Sequence, residues 1–221
     1  MKKYLKNKKI LEEGYVYDKS MEHDACGVGL IASTEGKKSR KVVEFGINAL
    51  KAVFHRGAVD ADGKTGDGAG IHLEIPSDFF AEKIELTGHE HDGSAICVGM
   101  IFLPRNNYEA QENARTLVES ELTKSNFSIY GWRQVPVNTK VLGDKANFTR
   151  PEITQVLFKN NNKGLKEKEL ERKIYESRRK IEKEAIKNAL EGFYICSLSS
   201  KSIIYKAMFL AEAIADFYID L

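Results

Sequence analysis

The sequence predicts an α+β or layered α/β domain. Strands outnumber helices, and the helices are inserted irregularly, not in a regular βαβ series. Three observations carry this expectation. Residues 95–103 (AICVGMIFL) form a nearly continuous apolar run that Pro104 ends. That is the pattern of a central strand buried on both faces. Val43, Ile47, Leu50 and Phe54 recur at intervals of four, three and four, which marks one face of a helix over 40–54. Leu170, Ile174, Ile181 and Ala185 recur at four, seven and four within a stretch of Lys, Arg and Glu. They predict a long amphipathic helix between 165 and 190.

The other elements follow in chain order. Residues 1–25 open on a basic stretch with no apolar core of a secretory signal behind it. They read as a disordered tail or as a leader removed ahead of Cys26. Residues 26–33 read as a first strand. A Gly- and Asp-rich loop spans 55–70. A short strand over 71–75 is closed by Pro76, with Ser77 placed to cap the next helix. Residues 106–124 read as a helix and 130–137 and 153–159 as strands. Two strands at 193–198 and 203–206 follow, then a helical 208–215. The closing Phe217, Tyr218, Ile219 and Leu221 either dock on the domain or lead into further chain, and continuation is the expectation.

Composition narrows the function classes. At 221 residues and 42% hydrophobic, the chain is long enough to bury a core of its own. A net charge of +2 is close to neutral and gives no argument for nucleic acid or a membrane surface, and neither is expected as a partner. Cys26, Cys97 and Cys196 are widely spaced and odd in number, so neither a disulfide framework nor a zinc site is indicated, and a cytoplasmic location is expected. No H-E-x-x-H spacing occurs among the histidines. The charges of the 165–190 helix interleave in sign, which suits a solvated helix with internal ion pairs better than a basic surface. Trp132 reads as a core anchor in preference to a stacking platform.

Two segments offer chemistry. In Glu22-His23-Asp24-Ala25-Cys26-Gly27-Val28-Gly29, cleavage before Cys26 would set a free α-amine beside a thiol. An amine titrating near about 8 could take the proton of a thiol near about 8.5. The alternative is a small buried cysteine at a strand start. A Cys–His hydrolase built from His23 and Cys26 ranks low, because nucleophile and base usually come from separate parts of a fold. The second segment is His55-Arg56-Gly57-Ala58 with Gly66-Asp67-Gly68-Ala69-Gly70. A phosphate-binding loop is one reading, weakened by the lack of a Walker pattern and of a helix opening right after it, and by Asp67, which would repel phosphate. The segment could instead present Arg56, whose guanidinium suits a bidentate clamp on a carboxylate, or it could hold Arg56 in an ordinary surface ion pair.

Taken together, these segments resemble the large subunits of glutamate synthases. So do Val98-Gly99-Met100-Ile101-Phe102-Leu103-Pro104, Gly131-Trp132-Arg133-Gln134-Val135-Pro136, and Tyr194-Ile195-Cys196-Ser197-Leu198-Ser199-Ser200 with Ile204-Tyr205-Lys206. The resemblance covers essentially the whole chain and points to the N-terminal class II glutamine amidotransferase domain of those proteins. It implies an α+β fold, a four-layer αββα sandwich of the N-terminal-nucleophile hydrolase type, incomplete at the C-terminus. Residues 1–25 would be a leader and 26–221 the N-terminal part of the domain.

The resemblance further implies Cys26 as the catalytic nucleophile and Arg56, Gly57, Asp67 and Gly68 as substrate-binding residues. The expected substrate is L-glutamine, and ammonia would be passed on to 2-oxoglutarate. No cofactor or metal is expected in this chain; FMN and an iron–sulfur cluster belong to downstream domains of the family. Expected partners are the rest of the large subunit and its small subunit or electron donor. One departure stands out. The family builds its oxyanion hole partly from an Asn-Gly pair, and no Asn-Gly dipeptide occurs in the sequence.

Overall fold

The architecture is organised by one strand. In the computed structural model, which describes residues 2–14, 18, 27–53, 58–162 and 164–221, strand β2 (Ile96–Leu103) lies at the centre of a four-stranded sheet. Its neighbours are β4 (Glu152–Asn160) and β5 (Tyr194–Ser199), with β3 (Phe127–Gln134) beyond β4. All pairings are antiparallel. Strands β1 (Ala69–Glu74) and β6 (Ser202–Ala207) form a separate antiparallel pair.

The continuous apolar run of β2 is explained by burial on both faces. Alternate residues point to opposite sides of a strand. Cys97, Ile101 and Leu103 join one core with Val156 and Phe158 of β4. Ile96, Val98 and Met100 join the other with Ile153 and Leu157. Gly99 has no room for a side chain: a Cβ there would lie 2.6 Å from Leu198 Cδ1 and 2.7 Å from Val156 Cγ1.

Helices α4 (Tyr108–Lys124) and α6 (Glu167–Lys187) cover the first face. Leu170, Ile174, Ile181 and Ala185 of α6 are buried, together with Ser177. Its outer charges pair internally, Arg172 with Glu176 at 2.9 Å and Arg178 with Glu182 at 2.8 Å. Trp132 packs beside this core, and its indole N–H donates to Glu119 Oε1 at 2.6 Å.

On the other face lie the β1–β6 pair and α3 (Ser77–Glu85), which buries Phe80 and Ile84. Helix α2 (Arg40–Ala52) packs against β1 through Val43, Ile47 and Leu50. The chain moves from one sheet to the other at the serine-rich corner between β5 and β6. There Ser199 Oγ accepts the Lys201 and Ser202 N–H groups, and Ser197 Oγ accepts that of Ile204 at 3.2 Å. Glu171 of α6 fastens the corner by accepting from the Ser199 hydroxyl and from both the N–H and hydroxyl of Ser200.

The closing segment docks. Ile214 and Phe217 of helix α7 (Ile214–Phe217) are buried with Tyr218, which bridges to Val137. Arg133 donates to Gln155 Oε1 and to Asp220 Oδ2, each at 2.6 Å, which ties the segment to the sheet.

Several sequence expectations need correction. Gly27–Ser33 lies outside any strand, with Val28 92% and Leu30 89% exposed, so its apolar residues do not pack as a strand would require. Ser77 is the first helical residue and not the cap; Pro76 holds the cap position, its carbonyl accepting the Phe80 N–H at 3.1 Å. Strand β3 starts three residues before 130, and residues 135–137 fall outside it. Residues 208–215 are a 3-10 turn at Ala211–Ala213 leading into α7 and not one helix. Residues Lys2–Glu13 form an exposed helix, α1, with no buried residue.

Candidate active site

A cavity of about 820 Å³ opens between α2, the β1–β6 pair and the start of β4. Gly27 and Val53 line it, as do Asp67 and Gly68. Gly27 directly follows Cys26, and Val53 directly precedes residues 54–57. Cys26, Arg56 and Gly57 themselves lie outside the described residues, as do His23, Phe54 and His55. The structure thus brings Asp67 and Gly68 together with the chain that flanks both remaining parts of the sequence-derived site.

The loop that carries Asp67 is built by local polar contacts. The Asp62 carboxylate accepts the Lys64 and Thr65 N–H groups at 2.9 and 2.7 Å and the Thr65 hydroxyl at 2.6 Å. These donors hold its carboxyl well below the usual range, at about 2, the Thr65 hydroxyl contributing most. Asp60 N–H donates to Thr65 O at 2.8 Å, and Val59 bridges to Gly66.

Helix α5 (Asp144–Thr149) anchors the loop from outside. Ala146 N–H reaches Thr65 Oγ1 at 3.4 Å, and Lys145 pairs with Asp60 at 2.8 Å. Two loop glycines are required by what lies behind them. A Cβ on Gly66 would sit 2.5 Å from the Phe209 carbonyl oxygen, and Gly68 has φ of +117°, which L side chains rarely adopt.

Much of the cavity wall is apolar, with Phe102, Ile153 and Phe209 among its residues. Its charged members among the described residues are Asp67, Arg150 and Lys206. The sequence reading gave neither Arg150 nor Lys206 a role in the site, although Lys206 falls in one of the segments that carry the resemblance. The sequence signal for Arg150 was Pro151, which disfavours helical geometry in the residue before it. Arg150 accordingly leaves α5 in an extended conformation, with φ −57° and ψ 129°.

The two described cysteines are poor nucleophiles. Both are buried and free. Burial pushes the Cys97 thiol far up and the Cys196 thiol up to about 11. Among the described residues no cluster of three His, Cys, Asp or Glu could hold a metal ion, and no helix is long and apolar enough to cross a membrane.

Residues 26–221 match the class-II glutamine amidotransferase family, and the chain belongs to it. The match begins at Cys26. The large chain of an NADPH glutamate synthase from Azospirillum brasilense is 53% identical over 97% of this chain and 14% of its own length. A ferredoxin-dependent glutamate synthase from Synechocystis is 39% identical over 90% of the chain and 12% of its own length. A ferredoxin-dependent glutamate synthase from Arabidopsis thaliana, described as chloroplastic/mitochondrial, is 39% identical over the same shares. The chain therefore spans about one seventh or less of the length of these relatives.

Proposed function

We propose that this chain carries the glutaminase site of a glutamate synthase and releases ammonia from L-glutamine through a thioester on Cys26. One observation carries the reading: the family match starts at Cys26, and the residue after it lines the cavity that Asp67 and Gly68 also line. At about 820 Å³ the cavity falls within the range of roughly 300–1,000 Å³ common for small-molecule sites. The layering of helices, four-stranded sheet, β1–β6 pair and α2 supports the αββα sandwich of an N-terminal-nucleophile hydrolase.

The chemistry follows from the residue types. Removal of residues 1–25 frees the Cys26 α-amine, which takes the thiol proton directly or through a water. The thiolate attacks the side-chain amide carbon of glutamine, and the proton passes to the leaving nitrogen, so ammonia departs. Water then hydrolyses the γ-glutamyl thioester to glutamate and restores the thiol. Arg56 clamps the substrate α-carboxylate, with Gly57, Asp67 and Gly68 shaping the pocket around it. In the longer protein the ammonia would aminate 2-oxoglutarate in a domain carrying FMN and an iron–sulfur cluster, with a small subunit or ferredoxin as electron donor.

The absence of an Asn-Gly pair from the 221 residues favours a second reading, a catalytically inactive fragment or partner-binding remnant. Loss of one oxyanion donor typically costs about 100- to 1,000-fold in turnover. Glutamine hydrolysis by the chain and by Cys26→Ser and Arg56→Ala variants tests both. Cys26→Ser should abolish hydrolysis, and Arg56→Ala should raise KM with little change in kcat. Binding of glutamine without hydrolysis by the unaltered chain would support the second reading, and undiminished hydrolysis by Cys26→Ser would overturn the thioester.

A further inference from the structure

The cavity carries a charge imbalance that the glutamine reading leaves unused. Arg150 and Lys206 both line it, and Asp67 is the sole acid among the described lining residues. Neither cation has a carboxylate within ion-pair distance among the described residues. Arg150 Nε is buried and has no hydrogen-bond partner, a costly state for a charged donor. Glu152, whose charge favours the guanidinium, already accepts from Gln134 Nε2 at 2.5 Å, while Arg105 adds a second positive charge. Burial and Arg105 together disfavour the charged guanidinium. Lys206 donates to the Tyr194 hydroxyl at 2.7 Å and lies 4.4 Å from the same residue's ring centroid, so its one partner is neutral and no carboxylate balances its charge.

Two uncompensated cations on a largely apolar wall fit an anion with a short hydrocarbon body. We propose that Arg150 and Lys206 form a carboxylate-binding pair in this cavity whose ligand is a small aliphatic dicarboxylate, L-glutamate being the one the proposed reaction generates. The choice of L-glutamate rests on the glutaminase reading; the carboxylate site itself does not. A neutral side-chain amide lacks the charge that the pair recognises, so the pair distinguishes product from substrate. Its role would be to set how strongly L-glutamate competes with glutamine.

Calorimetric titration of the full chain with glutarate, L-glutamate and L-glutamine tests this, using Arg150→Gln, Arg150→Lys and Lys206→Gln. Arg150→Gln should weaken glutarate and L-glutamate about tenfold or more, in line with a charged hydrogen bond, and leave glutamine within about twofold. Arg150→Lys should recover part of the loss. Lys206 is half-exposed, so Lys206→Gln should keep the fold and weaken the dicarboxylates alone, which preserves the test if Arg150→Gln unfolds. Equal weakening of glutamine and L-glutamate, or unchanged L-glutamate binding, would overturn the pair. Glutarate binding without glutamine binding would uphold the pair and sink the glutaminase reading. Glutamine binding without either dicarboxylate would do the reverse, and binding of none would overturn both.

Discussion

Gly143 lies so close to Asp62 that a Cβ built on it would fall 2.1 Å from Asp62 Oδ2 and 2.3 Å from Thr65 Oγ1. Residues 81 positions apart are thereby locked together, and the loop that presents Asp67 is seated on the start of α5. Gly143 itself has an ordinary φ of −74°, so space and not backbone strain demands a glycine there.

Gly143→Ala should therefore force the Asp62 carboxylate and Thr65 hydroxyl off α5. Overpacking of this kind costs about 1–3 kcal/mol. Urea denaturation should show that loss, and hydrogen exchange should quicken at residues 58–67 first. Unchanged exchange in the loop would contradict the lock.

The same lock should open in acid. The Asp62 carboxyl is depressed to about 2 in the folded chain, against about 3.9 for a free aspartate. A depressed carboxyl stabilises above the unfolded value and loses that contribution as pH falls through the folded one. Loop protection should hold above about pH 4 and disappear as the pH drops towards 2. Asp62→Asn should remove this acid step, and a wild-type step centred near 4 would refute the contacts described.

Arg133 and Asp220 form an ion pair with side chains only 15% and 12% exposed, and Gln155 completes the network. Removing one partner of a buried pair leaves an uncompensated charge and costs on the order of 3 kcal/mol. Asp220→Ala should show a loss of that size in denaturant titration and loosen residues 214–221. A loss near zero would mean that the closing segment is held by its aromatic residues alone.

Thiol labelling should separate the three cysteines. Burial raises Cys97 and Cys196, so native protein should react at Cys26 alone and take up two further equivalents on unfolding. Cys26→Ser should leave no native labelling. Rapid native modification of Cys97 would contradict the packing of β2.

Elements stabilised by their own periodicity were legible in the sequence. The burial of Leu170, Ile174, Ile181 and Ala185 on α6, and of both faces of β2, follows from pattern alone. What pattern could not supply was long-range. The apolar Gly27–Ser33 segment has a strand's composition but no partner among the described residues, and composition does not reveal pairing. Residues 208–215 are helical in composition, yet Phe209 is drawn into the core beside Gly66 and the segment tightens into a 3-10 turn. Asp67 and Gly68 entered the site through the family resemblance and not through the pattern of their loop. Arg150 did not enter it, because what marks it, a buried Nε without a partner, exists only in the folded chain. The roles assigned to Cys26, Arg56 and Gly57 rest on the sequence and the family match.

Intact-mass measurement of the purified chain with an electrophilic diazoketone analogue of glutamine tests the central claim most directly. The account predicts a species lacking residues 1–25 with one adduct, placed on Cys26 by fragmentation and absent from Cys26→Ser. A full-length chain with no adduct, or an adduct on Cys97 or Cys196, would contradict it.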